Sequence, residues 1–329
     1  MSLAIVRHTP LLLLALGCGG EKADPQPGPA DSAAPPADSA EPPGGDPATV
    51  PLRGACALDQ RWGGFSVEVG PDYSSVSGAV ADGVVPISIL TEVAVDGDCR
   101  LLRRENPRCE PACEPDEACG LDGACVPYPV NQDLGVVSLV GLSAELALEP
   151  VPPGTTYFNT TLPHPGVAAD AWVQLTAPGA ALGPLTLHGV GPEPLTGATL
   201  SWSIGDRPLD LTWTPPEGLG RARVQIRLMI DQHGNSPASL VCDTDDDGAA
   251  TVPQALIAEL LRAGVSGFPS GTITRATVDS APLAPGGCAE LRVQTALLAE
   301  VTVDDHVPCD SHDDCPEGTL CNFALETCQ

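Results

Sequence analysis

The sequence predicts a mostly β protein: an antiparallel β-sandwich with one short helix, a small N-terminal β unit and two disulfide-rich knots. Three observations lead there. Short segments in which apolar and polar residues alternate recur along the chain, the pattern of strands buried on one face. Glycine and proline number 35 and 36 in 329 residues, so turns interrupt any long helix at short intervals. Cysteines gather in two groups of four, at 109, 113, 119 and 125 and at 309, 315, 321 and 328.

The first element is a leader at residues 1–17. Arg7 supplies a positive start, Leu11 to Leu14 with Ala15 and Leu16 form an apolar run, and small Gly17 precedes Cys18. The run is far shorter than the roughly 20 residues a membrane-spanning helix needs, so the segment reads as an export signal. Ala15-Leu16-Gly17-Cys18 resembles the lipobox of bacterial lipoproteins. The resemblance implies that Cys18 becomes a lipidated N-terminus carrying several acyl chains (palmitate among them), which anchor stably where one chain would not. Gly19 in place of Asp implies, by the same resemblance, the cell outer membrane. An ordinary secretory signal cut nearby is the other reading.

Residues 18–51 carry the acylated cysteine and a linker of Gly, Pro, Ala, Asp, Ser and Glu, which lacks the apolar surface to fold and should act as a tether. Residues 52–105 read as the small β unit, with Phe65, Val67 and Val69 on one face and Val84 to Val95 following. A Cys56–Cys99 bridge would close it. Residues 106–129 and 306–329 are too short to bury a core and need staples. Both resemble EGF-like four-cysteine modules, and that resemblance implies first-to-third and second-to-fourth pairing: Cys109–Cys119, Cys113–Cys125, Cys309–Cys321 and Cys315–Cys328.

Residues 130–305 carry the sandwich. Leu200 to Ile204, Leu209 to Trp213, Thr272–Val278, Leu291–Val293 and Val301–Val303 read as strands, with Trp202 and Trp213 in the core. Along Arg223–Ile230, Val224, Ile226, Leu228 and Ile230 should point inward and Arg223, Gln225 and Arg227 outward. Pro253 opens a helix whose stripe is Leu256, Ile257, Leu260 and Leu261, and Gly264 ends it. Cys242–Cys288 would clip this helical insertion to the sheet. The segment Leu209 to Glu217 resembles the tryptophan strand of fibronectin type III domains. The layout as a whole is similar to cysteine-rich lipoproteins of unknown function, a resemblance that implies no activity.

Thirteen cysteines less Cys18 leave twelve, an even set that suits disulfides in an exported chain. A net charge of −28, from 15 Lys and Arg against 43 Asp and Glu, excludes nucleic acid as a partner, which requires a basic face.

Three candidate sites follow. Asp243, Asp245, Asp247 and Thr251, with Gly248 at the turn, resemble an EF-hand calcium loop, although Gln254 replaces the bidentate acid; a solvated acidic turn is the alternative. Calcium is the single cofactor the sequence raises. Tyr157, Asn159, Asp170, Trp172 and Gln174 could form an aromatic platform for a glycan, unless Trp172 is covered. Arg100, Arg103, Arg104 and Arg108 form the basic cluster, suited either to an anionic glycan or phosphate or to ion pairs with nearby Glu105, Glu110, Glu114, Asp116 and Glu117. The histidines are scattered and no nucleophile elbow, zinc-protease motif or phosphate loop is present, so an enzyme is not expected. The expected partners are the membrane, through the lipid anchor, and a glycan or envelope protein. A calcium-assisted adhesin and an envelope hydrolase are the rival functions.

Overall fold

The computed structural model describes residues 49, 51–84, 89–105, 107–230 and 238–329. The leader, Cys18 and nearly all of the linker therefore lie outside the described residues. Among the described residues there are twenty strands and one α-helix. The first strands are β1 (Arg61–Val69), β2 (Ser74–Val80), β3 (Leu90–Asp96), β4 (Cys99–Arg104), β5 (Glu117–Cys119) and β6 (Cys125–Pro127). Then come β7 (Val137–Val140), β8 (Leu146–Leu148), β9 (Tyr157–Asn159), β10 (Trp172–Ala177), β11 (Leu185–Val190), β12 (Ser201–Ile204) and β13 (Leu209–Thr212). The remainder are β14 (Arg223–Met229), β15 (Ala238–Asp245), β16 (Ala249–Val252), α1 (Gln254–Arg262), β17 (Ser270–Leu283), β18 (Gly287–Val303), β19 (Cys321–Asn322) and β20 (Thr327–Cys328).

One ten-stranded sheet organises everything, in the order β3-β4-β15-β14-β17-β18-β1-β2-β9, with β12 also on β18. Its spine is the β17–β18 hairpin, whose strands run 14 and 17 residues. The sheet is mixed, not purely antiparallel as expected: β1 and β12 both join β18 in parallel. Residues 52–105 are accordingly not a separate unit. β1 and β2 extend the sheet beyond β18, while β3 and β4 extend it beyond β15, because Phe65 and Val67 need the same core as Leu291 and Val293.

The inner face of this sheet carries two apolar cores. The four-stranded sheet β11-β10-β7-β8 roofs the first, where Val173, Leu175 and Leu187 meet Phe65, Leu291 and Val293. The β13–β16 ribbon and α1 roof the second, around Trp202, Leu211, Ile226, Leu240 and Leu260. Each fully buried Leu or Ile contributes about 1.5–3 kcal/mol, so the alternation in β14 alone fixes which face turns inward. Val224, Ile226, Leu228 and Ile230 are all buried there, and Trp202 and Trp213 are core. The helix stripe of Leu256, Ile257 and Leu260 is buried, and Gly264 follows the helix at φ 103°.

Between the two cores the inner face of β17 turns polar. Arg275, Thr277 and Asp279 are 1%, 2% and 0% exposed. Thr277 Oγ1 donates to Val190 O and accepts from Val190 N, and Asp279 accepts from His188 N. Backbone groups at the open edge of β11 are thus satisfied by side chains of β17, which protects that edge from pairing with another chain.

The knots are as the EGF-like resemblance implies: Cys109–Cys119, Cys113–Cys125, Cys309–Cys321 and Cys315–Cys328 are bonded. The other two expected bridges are replaced by Cys56–Cys288 and Cys99–Cys242. Cys99 and Cys242 are direct register partners on β4 and β15. β14 and β17 separate Cys242 from Cys288, a gap of roughly 14 Å at the usual strand spacing and beyond disulfide reach.

Candidate functional site

The outer face of the large sheet holds a cavity of about 510 Å³, within the size range of small-ligand sites. Residues 52–58 form one wall. Arg53 grips Asp279 with its backbone N at 3.0 Å and with Nε and Nη2 at 2.9 Å each. Three residues on, Cys56 is bonded to Cys288, and its N donates to Glu290 at 2.7 Å. Burial works to raise the Asp279 carboxyl, but the Arg53 side-chain bond, the Arg53 and His188 backbone bonds and the Arg53 charge outweigh it. The net effect holds the carboxyl below the usual range.

Six arginines line the cavity, at 61, 100, 221, 223, 227 and 292, against two carboxylates, Asp243 and Glu290. In a chain of net charge −28 this is a local reversal of sign. Alternation places Arg100, Arg227 and Arg292, whose neighbours in sequence are inward-facing core. Arg223 is neutralised, its Nε meeting Asp243 at 2.5 Å and its Nη1 meeting Asp245 at 2.5 Å. Arg61 makes a long contact with Glu290, 3.7 Å. Arg100, Arg227 and Arg292 make no hydrogen bond or ion pair with the described residues. Partial burial and then the charges of Arg61 and Arg104 push the Arg227 guanidinium below its usual range. Burial does the same to Arg292; the charges of Arg61 and Arg227 add to it, and those of Glu290 and Asp243 oppose it. Leu102, Val241, Ala276 and Val278 form an aliphatic floor among these charges.

Local ion pairing does not hold Arg100, Arg104 or Arg108 of the basic cluster among the described residues. Arg100 turns into the cavity, and Arg104, four residues along β4, is near enough to act on Arg227. Neither Arg100, Arg104 nor Arg108 pairs with the neighbouring acids.

The calcium ligands do not converge. Asp243 and Asp245 share Arg223, Asp247 accepts from Ala249 N at 3.3 Å, and Thr251 Oγ1 donates to Asp210 at 2.6 Å. The reason lies in the backbone. Asp243 and Asp245 sit in β15 and Thr251 in β16, so these side chains lie along two strands rather than around a loop. Only the turn survives from the motif, with Gly248 at φ 100°. Asp246, which the motif passes over, is the structural acid: its side chain is 3% exposed and bonds Trp213 Nε1 and Arg275. Among the described residues, the groups close enough to share a metal are knot cysteines with Glu117, and those cysteines are in disulfides.

The aromatic platform also fails to assemble. Tyr157 is fully buried, its hydroxyl accepting from Leu134 N, and burial raises it above the usual phenol range. Its strand, β9, pairs with β2 rather than β10. Asn159 accepts from Thr161 N, and Asp170, at φ 59°, accepts from Leu219 N. Trp172 and Gln174 do lie on the face opposite Val173 and Leu175, but the indole is covered by His188, stacked at 5.7 Å, and its Nε1 is buried without a partner among the described residues.

The described histidines serve the fold. His188 covers Trp172, His306 Nε2 meets Gly267 O at 2.7 Å, and His312 Nδ1 accepts from Cys321 N. His164 Nδ1 lies 3.2 Å from Ser74 Oγ, yet it also lies 3.1 Å from Tyr73 O. Ser74 is buried and accepts from Gly166 N. A ring nitrogen that donates to a carbonyl cannot act as the base for that hydroxyl.

No family model and no curated protein matches the chain. Among solved structures, it is similar to a 1.5-MDa bacterial ice-binding adhesin at 10% identity, over 77% of this chain and 68% of that one, with a TM-score of 0.17. A Ca2+-stabilized adhesin of an Antarctic bacterium gives 12% identity over 74% and 75%, TM-score 0.18. The FN1-FN3 domains of chicken CNTN1 give 9% over 73% and 99%, TM-score 0.18. Scores this low mark no common fold.

Proposed function

We propose that this chain is a lipid-anchored protein of the cell outer membrane that works by binding and not by catalysis, with the arginine-lined cavity as its binding face. The observation that carries the reading is that Arg100, Arg227 and Arg292 face the cavity without a hydrogen-bond or ion-pair partner among the described residues. Desolvating like charges side by side costs free energy, and an arriving anion removes that cost. The wall at 52–58, tied by Cys56–Cys288, is fixed in advance, so little ordering entropy opposes binding.

Sulfur supports the proposed compartment. Six disulfides suit an oxidising envelope, and the lipobox-like Ala15–Cys18 supplies the anchor that keeps the body there. The partners are the membrane and a ligand of the envelope, a glycan or a protein.

Mass spectrometry of the native chain and protease shaving of intact cells test the reading together. A diacylated, N-acylated Cys18 at the mature N-terminus is expected. Shaving within residues 19–51 reports which side of the membrane the body faces. An unacylated mature chain, or turnover of an ester or peptide substrate lost on changing a single histidine, would overturn the reading.

A further inference from the structure

We infer that the outer face of the large sheet is a site for an acidic glycan, whose oxyanions are held by arginines standing beside aliphatic residues. The inference rests on the binding reading above and names its ligand class.

The register carries it. Arg100, Val241 and Arg227 stand side by side on β4, β15 and β14. Neighbouring strands lie about 4.8 Å apart, so two arginines flank one valine across roughly 10 Å. Their guanidinium forks can close on a carboxylate, sulfate or phosphate above it, the planar groups arginine recognises bidentately. A second station lies at the far end of the cavity, where Arg292 is the partner of Val278 and Arg61 is close by, the two cations outnumbering the Glu290 carboxylate beside them.

Thr272, beside Arg227, and Val278, beside Arg292, are six residues apart on β17, roughly 20 Å of backbone at ~3.4 Å per residue, and the long side chains lean in far enough for Arg227 and Arg61 to act on Arg292. Between the stations the face is neutral: Arg223 is paired with Asp243 and Asp245, and Gln225 and Ala276 line the cavity.

Two separated cationic stations across a neutral floor suit a chain that carries its charges apart. A lone small anion would use one station only. A duplex, with a charge about every 1.7 Å, would meet the acidic surface of a protein of net charge −28 on every side. An oligosaccharide with one acid per sugar presents carboxylates at intervals, hydroxyls for Gln225, and C–H faces for Val241 and Val278.

Calorimetry on the full chain in neutral detergent micelles at low salt tests this. The probes are tetragalacturonate, its fully methyl-esterified form, a sulfated tetrasaccharide, inorganic phosphate and laurate. An acidic tetrasaccharide is expected to bind and the methyl ester not to. R227Q and R292Q should each weaken binding at least tenfold while melting at the wild-type temperature. The carboxylated and sulfated sugars distinguish the acid group within one class. Acidic-sugar binding that survives both substitutions, or equal binding of the methyl ester, overturns the inference. If phosphate or laurate binds in an arginine-dependent way and both acidic sugars fail, the glycan is wrong and the binding face stands. If none of the anions binds, both readings fall.

Discussion

Arg275 on the inner face of the large sheet and Arg292 on the outer face sit on neighbouring strands and live under opposite rules. Arg275 is 1% exposed, and its guanidinium meets both oxygens of Asp246 and the carbonyls of Glu193, Pro194 and Thr214. Arg292 meets none of the described residues through a hydrogen bond or ion pair. A charge that serves the fold is saturated by it, because a buried cation without partners would destabilise the native state. A charge the fold leaves unsaturated, on a rigid strand and in a cavity, is available to something else.

Five variants break or sharpen that contrast. The largest effect is expected from replacing Cys56 and Cys288 together by serine. Their bridge spans 232 residues of sequence, and its loss costs up to about 5 kcal/mol by the chain-entropy model, read as a fall in melting temperature. Next is Arg275→Met, which strands Asp246 and should cost about 3–5 kcal/mol in denaturant unfolding; a cost as small as that of an outer-face change would erase the distinction between the faces.

Asp279→Asn should cost about 2 kcal/mol, as expected for charge-assisted hydrogen bonds. It also carries a pH signature. The folded-state carboxyl lies below its usual value, so its stabilisation is present above about pH 4 and is lost as pH falls through the depressed value. Wild type should lose stability faster than Asp279→Asn in an acid titration followed by circular dichroism. The smallest effect is expected at Arg227→Gln and Arg292→Gln, within about 0.5 kcal/mol of wild type or slightly stabilising, since each removes one of several like charges.

The inward and outward assignment of Arg223–Ile230 was legible because alternation is local and each buried apolar residue votes the same way. So were the helix at Leu256 to Leu261 and the core positions of Trp202 and Trp213. Membership of one sheet was not legible. That β1 joins β18 in parallel and β4 joins β15 is decided by contacts well over a hundred residues apart, and the same contacts decide that Cys99 meets Cys242. The aspartate motif misled because spacing says nothing about whether the backbone closes into a loop. The true buried acid, Asp246, stood inside it without a signal. The cavity was visible only at Arg100: its other arginines are scattered between 61 and 292, and sheet pairing alone brings them to one face.

Arginine labelling with phenylglyoxal, followed by peptide mass spectrometry, tests the central claim most directly. In the native protein Arg100, Arg227 and Arg292 should react readily, and tetragalacturonate should protect them. Arg275 should stay unlabelled until the chain is unfolded. Slow labelling of Arg227 and Arg292, at the rate of Arg275, would contradict the account, because it would mean that the outer-face guanidinium groups are as fully engaged as the inner one.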